Sequence, residues 1–242
     1  FVKGGRPLPY HVIGTDGGLL DKPYAVKEAF LSPGERLDVL LDAGSLAVGD
    51  EIFLRSLAFD PLEGGGMMGQ MMGRMRAARL PNGAAFDVVK LRVARRAGAP
   101  RRLPARLSRI APIDTNRAAL RSVRIEMARM RWLINGETYR EDAYPIEARR
   151  NTVEVWDIRN ADHSMPHPMH MHGFQFQVLS RRNSPAQVRA LGRHGNGRAA
   201  GDLGWKDTVL VWPGETVRLA VDFSHDFDGD QVYVFHCHNL EH

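Results

Sequence analysis

Cysteine is almost absent. The 242 residues hold one, Cys237, so no intrachain disulfide can form and the fold must be held by packing or by metal. Long apolar runs are missing too: the longest, such as Leu37 to Ala43 and Val209 to Trp212, are short and interrupted by charge or glycine. None approaches the roughly 20 residues that cross a bilayer, which excludes a transmembrane helix. The opening Phe1-Val2-Lys3-Gly4-Gly5 lacks a charged segment followed by an apolar one, so no targeting signal is legible, and the chain reads as starting in mid-domain. No basic stretch is interleaved with aromatic residues. The net charge of +5 and the pI near 9.6 come from arginines scattered among carboxylates, which reads as a solvated surface rather than a nucleic-acid partner.

What is present is an ordinary globular composition, 43% apolar, long enough for one large domain or two ordinary ones. Strand signals dominate: Arg36 to Asp42, Phe86 to Ala94, Thr152 to Arg159, Phe174 to Ser180, Asp207 to Trp212, Thr216 to Phe223 and Gln231 to Phe235 are short runs rich in β-branched, leucine or aromatic residues. Turn residues separate them, as in Leu133-Ile134-Asn135-Gly136 and Asp226 to Asp230. Only Asn116 to Met130 reads weakly as helix or mixed structure, and no strand is evident before Tyr10. The pattern predicts an all-β chain of sandwich domains.

One turn phrase occurs twice, in Leu31-Ser32-Pro33-Gly34-Glu35-Arg36-Leu37 and in Val211-Trp212-Pro213-Gly214-Glu215-Thr216-Val217, each time ahead of an alternating strand. The repetition suggests two copies of one sandwich type. Between them Ala97 to Pro112 is rich in proline, arginine and alanine without apolar periodicity, as in an interdomain linker.

Two windows carry the chemistry: Met165-Pro166-His167-Pro168-Met169-His170-Met171-His172-Gly173, and Val234-Phe235-His236-Cys237-His238-Asn239-Leu240-Glu241-His242. Alternate side chains of a strand leave opposite faces, so His170 and His172 point one way together, His236 and His238 likewise, and Cys237 the other way. If the strands are neighbours, one side collects four imidazoles and the other collects Cys237 with His167 and His242 from adjoining loops. Two imidazoles and a thiolate in a trigonal set suit an electron-transfer copper, whereas structural zinc usually closes with cysteine and histidine pairs. Zinc on a subset of these residues is the alternative. An electron accepted at Cys237 can pass through the backbone to His236 or His238, so the triplet is a wire as well as a ligand set. His11, His163, His194 and His225 lack partners at ligand spacing and read as ordinary polar residues.

These residues resemble the multicopper oxidases, the family of laccases, bilirubin oxidases and bacterial cuprous oxidases. Its last domain carries a histidine-proline-x-histidine-x-histidine-glycine motif and a histidine-cysteine-histidine-x-x-x-histidine motif, and both stand here. Gly204-Trp205-Lys206-Asp207-Thr208 and Ile13-Gly14-Thr15-Asp16-Gly17-Gly18 look like bacterial members as well. The likeness covers most of the chain and is weakest from Asp60 to Arg121. It implies cupredoxin-like Greek-key β-sandwiches, one partial and one near-complete: residues 1–97 as the trailing part of a middle domain, 98–118 as linker and 119–242 as the carboxy-terminal domain. It implies copper as cofactor, type 1 on His167, Cys237 and His242, type 2 touched by His170, and the type 3 pair touched by His172, His236 and His238. Partners would be O2 and a phenolic or Cu(I) reductant, in a periplasmic or secreted setting.

Two parts of the family pattern fall outside these residues. The axial type 1 position lies five residues beyond the last type 1 histidine, past His242. The first domain normally adds two histidine-x-histidine pairs, and nothing before residue 163 resembles them. With four of the usual eight trinuclear ligands, this segment alone is expected not to reduce oxygen. The rival from another class, a non-enzymatic copper carrier or electron-transfer cupredoxin, has no need of His170, His172, His236 and His238.

Gly64-Gly65-Gly66-Met67-Met68-Gly69-Gln70-Met71-Met72-Gly73-Arg74-Met75 is a second feature. Thioethers favour Cu(I), so the stretch reads as a gatherer of cuprous ions or as an apolar surface loop, methionine being an adaptable filler. Met165 is a weaker candidate for the same route. Asp207 reads as a carboxylate that accepts the free ring N–H of a ligand histidine, or as a turn cap.

Overall fold

The computed structural model describes residues 1–63, 81–96, 98, 102–128, 131–193 and 195–239. Before residue 98 lie β1 (Val2–Lys3), β2 (Arg6–Pro7), β3 (Tyr10–Thr15), β4 (Gly18–Val26), β5 (Asp38–Leu40), β6 (Glu51–Ser56) and β7 (Phe86–Arg92). They form a four-stranded sheet ordered β2-β1-β6-β7 and a three-stranded sheet ordered β4-β3-β5. After it come β8 (Ala119–Ala128), β9 (Arg131–Ile134), β10 (Val153–Asn160), β11 (His167–Met171), β12 (Phe176–Arg182), the short helix α1 (Ala186–Arg189), β13 (Trp205–Lys206), β14 (Thr208–Val211), β15 (Thr216–Asp222) and β16 (Phe235–Cys237). A six-stranded sheet ordered β13-β12-β15-β10-β8-β9 faces a three-stranded sheet ordered β14-β11-β16. Among the described residues no sheet mixes strands β1–β7 with strands β8–β16.

Asn116 to Met130, expected as helix or mixed, contains β8, which joins β10 in parallel. Its alanine, leucine, arginine and methionine favour helix. A period of two runs beneath that composition, Val123 and Ile125 being fully buried between polar Ser122, Arg124 and Glu126, and burial in the sheet outweighs propensity. Gln231 to Phe235 corrects the other way: the strand begins at Phe235 and runs on to Cys237, since only there does the chain pair with β11. Val232, Tyr233 and Val234 are exposed, and β propensity without a ladder makes no strand. Arg36 to Asp42 shortens to β5, and two brief strands, β1 and β2, precede Tyr10.

The twice-used phrase folds the same way both times. Glu35 N–H donates to the Ser32 carbonyl at 3.1 Å and Glu215 N–H to that of Trp212 at 3.0 Å. Gly34 and Gly214 take φ +85° and +74°, the left-handed third position that follows proline in such a turn. In each copy the glutamate carboxylate also accepts the backbone N–H of the turn's first residue at 2.9 Å.

The carboxy-terminal core lies between its two sheets, where Trp156, Met169, Phe176, Val211 and Leu219 are buried. Fifteen such side chains are removed from water there at roughly 1.5 to 3 kcal/mol for each large one, which fixes the position of β11 and β16. A second cluster, Tyr10, Val12, Leu20 and Ala200 with Leu203 packed against it, spans the two sets of sheets. Between them, Leu107 N–H donates to the Asp21 carbonyl at 2.8 Å, and the Gln177 side-chain amide bonds the Ala111 carbonyl and the Ile113 N–H. Among the described residues no helix is long and apolar enough to cross a membrane.

Candidate metal centre

β11 and β16 are antiparallel neighbours, with Met169 opposite Cys237, His170 opposite His236 and Met171 opposite Phe235. Opposed residues share a face, so the register puts His170 beside His236 and Cys237 beside Met169. The face of Cys237 and Met169 is the sandwich core. The face of the histidines is the outer one.

On the core face, Cys237 is buried and its Sγ lies 3.3 Å from Nδ1 of His167, which is fully buried. His167 is the first residue of β11 rather than part of a loop. Its Nε2 is 3.0 Å from Ser164 Oγ, and Trp132 meets the ring edge-on at 5.1 Å between centroids. The backbone N–H of Asn239 points at Cys237 Sγ from 3.3 Å, while its side-chain amide bonds the Pro166 carbonyl at 2.9 Å and ties the two windows together.

On the outer face, Nε2 of His172 and Nε2 of His236 meet at 3.0 Å, and ligand nitrogens of His170, His172 and His236 all lie within 4.8 Å of one another. His238 completes the set, its ring 5.3 Å from that of His170 and 5.0 Å from that of His236. Backbone carbonyls decide two tautomers, because a carbonyl only accepts. His170 Nδ1 stands 2.9 Å from the Asp207 carbonyl and His236 Nδ1 2.9 Å from that of Cys237, so both carry a proton on Nδ1 and turn Nε2 toward the cluster. Burial, and then the neighbouring rings, hold His172 and His238 below the ordinary imidazole pKa, which keeps them neutral at pH 7. Three imidazoles converging on one small volume, with that of His238 beside them, form a donor set for a metal of borderline softness. The thiolate face is softer, and copper suits both.

Asp207 acts on His170 differently from the expectation. The backbone carbonyl of Asp207 and the hydroxyl of Thr208, at 2.8 Å, hold the ring, and the carboxylate stays 3.4 Å away. That carboxylate instead takes both arms of the Arg36 guanidinium at 2.7 and 2.6 Å. Although burial pushes it up, Arg36 and Thr208 hold the Asp207 pKa below the usual carboxylate range. Asp16, whose side chain is fully buried, accepts from the backbone of Arg36 at 2.7 Å and from those of Asp207 and Thr208 at 3.2 Å, and pairs with buried Lys206 at 3.1 Å. Glu35 lies 3.2 Å from the same ammonium. The two phrases around Asp16 and Lys206 therefore pack on each other: Gly17 N–H donates to Trp205 at 2.8 Å, and a β-carbon on Gly17 or Gly204 would overlap the opposite phrase. Sequence reasoning missed Gly34, Arg36, Asp16, Thr208 and Ser164; the one local signal was a lysine-aspartate-threonine run set directly against a strand of the core.

Residues 112–242 match the family model described as Multicopper oxidase. The chain belongs to the multicopper oxidase family. Bilirubin oxidase of Albifimbria verrucaria is 30% identical over 97% of this chain and 38% of its own length. Cell division protein FtsP of Yersinia pestis is 29% identical over 99% of this chain and 44% of its own. The crystal structure of McoA multicopper oxidase from Aquifex aeolicus superimposes with a TM-score of 0.80 at 36% identity, covering 99% of this chain and 48% of that one. The chain thus spans less than half the length of the multicopper oxidase relatives it matches, and its all-β sandwiches are those of the family.

His242 and the methionine-rich stretch lie outside the described residues, as does His194. The flanks of that stretch are described. Phe59 N–H donates to the Gly83 carbonyl at 3.0 Å, while Glu63 accepts from Ala186 N–H at 2.6 Å at the start of α1 and Gln187 donates to the Asp60 carbonyl at 2.6 Å. Met165 is half-buried, its sulfur 3.3 Å from the Asn239 amide. His11, His163 and His225 stand outside the cluster of imidazoles.

Proposed function

We propose that this chain is the carboxy-terminal part of a copper-dependent oxidoreductase that couples one-electron oxidation of a phenolic or aromatic reductant, or of Cu(I), to reduction of O2 to water. One observation carries the reading: in three consecutive residues, sulfur faces His167 on one side of a sheet while His236 and His238 join His170 and His172 on the other. His167 and Cys237, with His242, would hold a type 1 copper. His170 would touch type 2 copper, and His172, His236 and His238 the type 3 pair. Bound copper would supply one-electron chemistry on the sulfur side and oxygen reduction on the imidazole side.

The residues themselves do the rest. Cys237 is joined to His236 and His238 through a few backbone bonds, which gives the two sides a short covalent path. His167 presents Nδ1 to the sulfur with its other nitrogen engaged by Ser164. His170 and His236 present Nε2 because carbonyls hold Nδ1. We place the domains at 1–97 and 119–242 with the linker 98–118 between them, and the remaining trinuclear ligands in an amino-terminal cupredoxin domain outside this sequence. The isolated segment is then inactive toward oxygen. Export to a periplasm or the cell surface follows from the same resemblance.

A non-enzymatic role is the second reading, and the Yersinia relative, named for cell division, favours it. An electron carrier or scaffold has no use for four imidazoles gathered beside the sulfur site, so the oxidase reading is preferred. Copper content and the visible spectrum of the intact protein test it. Several coppers per molecule with a blue thiolate band are expected; zinc in their place, or no bound metal, rejects the oxidase.

A further inference from the structure

The histidine cluster is shaped from outside its own domain. Gly34, at the tip of the Ser32–Glu35 turn, abuts His238 so closely that a β-carbon built on it would overlap the imidazole ring. Two residues on, Arg36 clamps the carboxylate of Asp207, whose carbonyl and whose neighbour Thr208 hold Nδ1 of His170. The Gly34 carbonyl also accepts from the Thr208 hydroxyl at 3.3 Å. Buried Asp16 locks both partners in register by accepting from the backbones of Arg36, Asp207 and Thr208.

We propose that the Ser32–Arg36 turn is a positioning device for the proposed trinuclear ligands: Gly34 sets how far the His238 ring can swing, and Arg36, through Asp207, fixes the segment that orients His170. Neither residue is a ligand. Both act through histidines, so the inference rests on the copper reading above. The turn's second copy supplies the internal comparison. Gly214 has the same sequence context and nearly the same φ, but its nearest neighbour is an Asp162 oxygen at 3.1 Å, away from any ligand. Alanine at either glycine carries the same backbone strain, and only at Gly34 does it press on a histidine.

The test uses the intact copper-loaded protein and compares Gly34→Ala, Gly214→Ala, Arg36→Met and Arg36→Lys with the parent. Copper retention against a chelator, the electron paramagnetic resonance of the non-blue copper, the blue band and thermal unfolding are read together. Gly34→Ala and Arg36→Met are expected to keep the blue band and to hold the remaining copper on the order of tenfold more weakly, as changes to groups that orient ligand histidines do. Arg36→Lys recovers part of the loss, and Gly214→Ala matches the parent. Should Gly34→Ala fail to fold, Arg36→Met carries the test. A copper-loaded parent whose Gly34 and Arg36 variants retain copper as it does, or a Gly214→Ala that loses it equally, overturns this inference alone. A parent that takes up no copper overturns the reading beneath it and this with it.

Discussion

Ser164 Oγ lies 3.0 Å from Nε2 of His167, on the side of the ring away from Cys237. With a metal on Nδ1, Nε2 would carry the proton and donate to this hydroxyl, which makes the imidazole a stronger donor to that metal. Ser164→Ala removes that acceptor, so the cupric state loses more than the cuprous and the reduction potential rises. Ser164→Asp moves it down. A tenfold change in the relative stability of the two states is about 59 mV for one electron, and shifts on that order are expected in a spectroelectrochemical titration. Equal potentials in all three proteins would show that the hydroxyl is a spectator.

Arg181, Asp202 and Glu215 form a buried network beside the repeated turn. The guanidinium takes both oxygens of Asp202 at 2.9 Å and reaches Glu215 at 3.2 Å. Removing one partner strands the others, so Asp202→Asn is expected to cost about 3 kcal/mol at pH 7. Burial pushes the Asp202 pKa up, but Arg181 outweighs it and the folded value lies below the usual carboxylate range. A depressed carboxylate contributes stability that is fully present above its unfolded pKa of about 3.9 and is lost as pH falls through the folded value. The gap between parent and variant should therefore be constant from pH 7 to pH 5 and narrow below pH 4. Denaturant unfolding across that range decides it, and a gap that widens in acid would contradict the assignment.

How much of this was legible in the sequence depended on distance along the chain. The division of sulfur and imidazoles between two faces follows from alternation within short windows, although β16 lies further along than the expected Gln231 to Phe235 strand and His167 opens β11 rather than sitting in a loop. β8 was misread because its helix-favouring composition hid a period of two that only sheet burial makes decisive. The contacts of Gly34 with His238 and of Arg36 with Asp207 join residues 204 and 171 positions apart. No local pattern announces such pairs, since they exist only once two sandwiches pack. Asp207 shows the limit most clearly: a contact with some ligand histidine was one of its two readings, but the group that acts on His170 is its carbonyl, with the carboxylate turned to Arg36.

The methionine-rich stretch bears on the choice of reductant. Replacing Met67, Met68, Met71, Met72 and Met75 with serine should lower Cu(I) oxidation by the intact protein and spare phenol oxidation, because soft thioethers hold Cu(I) and have no special affinity for a phenol. Oxygen uptake with each reductant measures both. Equal loss of the two activities removes the cuprous route.

In the proposed arrangement the sulfur of Cys237 and the ring of His167 grip one copper while the imidazoles of His170, His172, His236 and His238 serve others. X-ray absorption at the copper edge of the intact, copper-loaded protein addresses it most directly. A sulfur neighbour should contribute to the parent's spectrum and vanish in Cys237→Ser, with the nitrogen shell of the other coppers left in place. A copper-loaded parent without a sulfur neighbour, or a Cys237→Ser spectrum that still shows one, would contradict it.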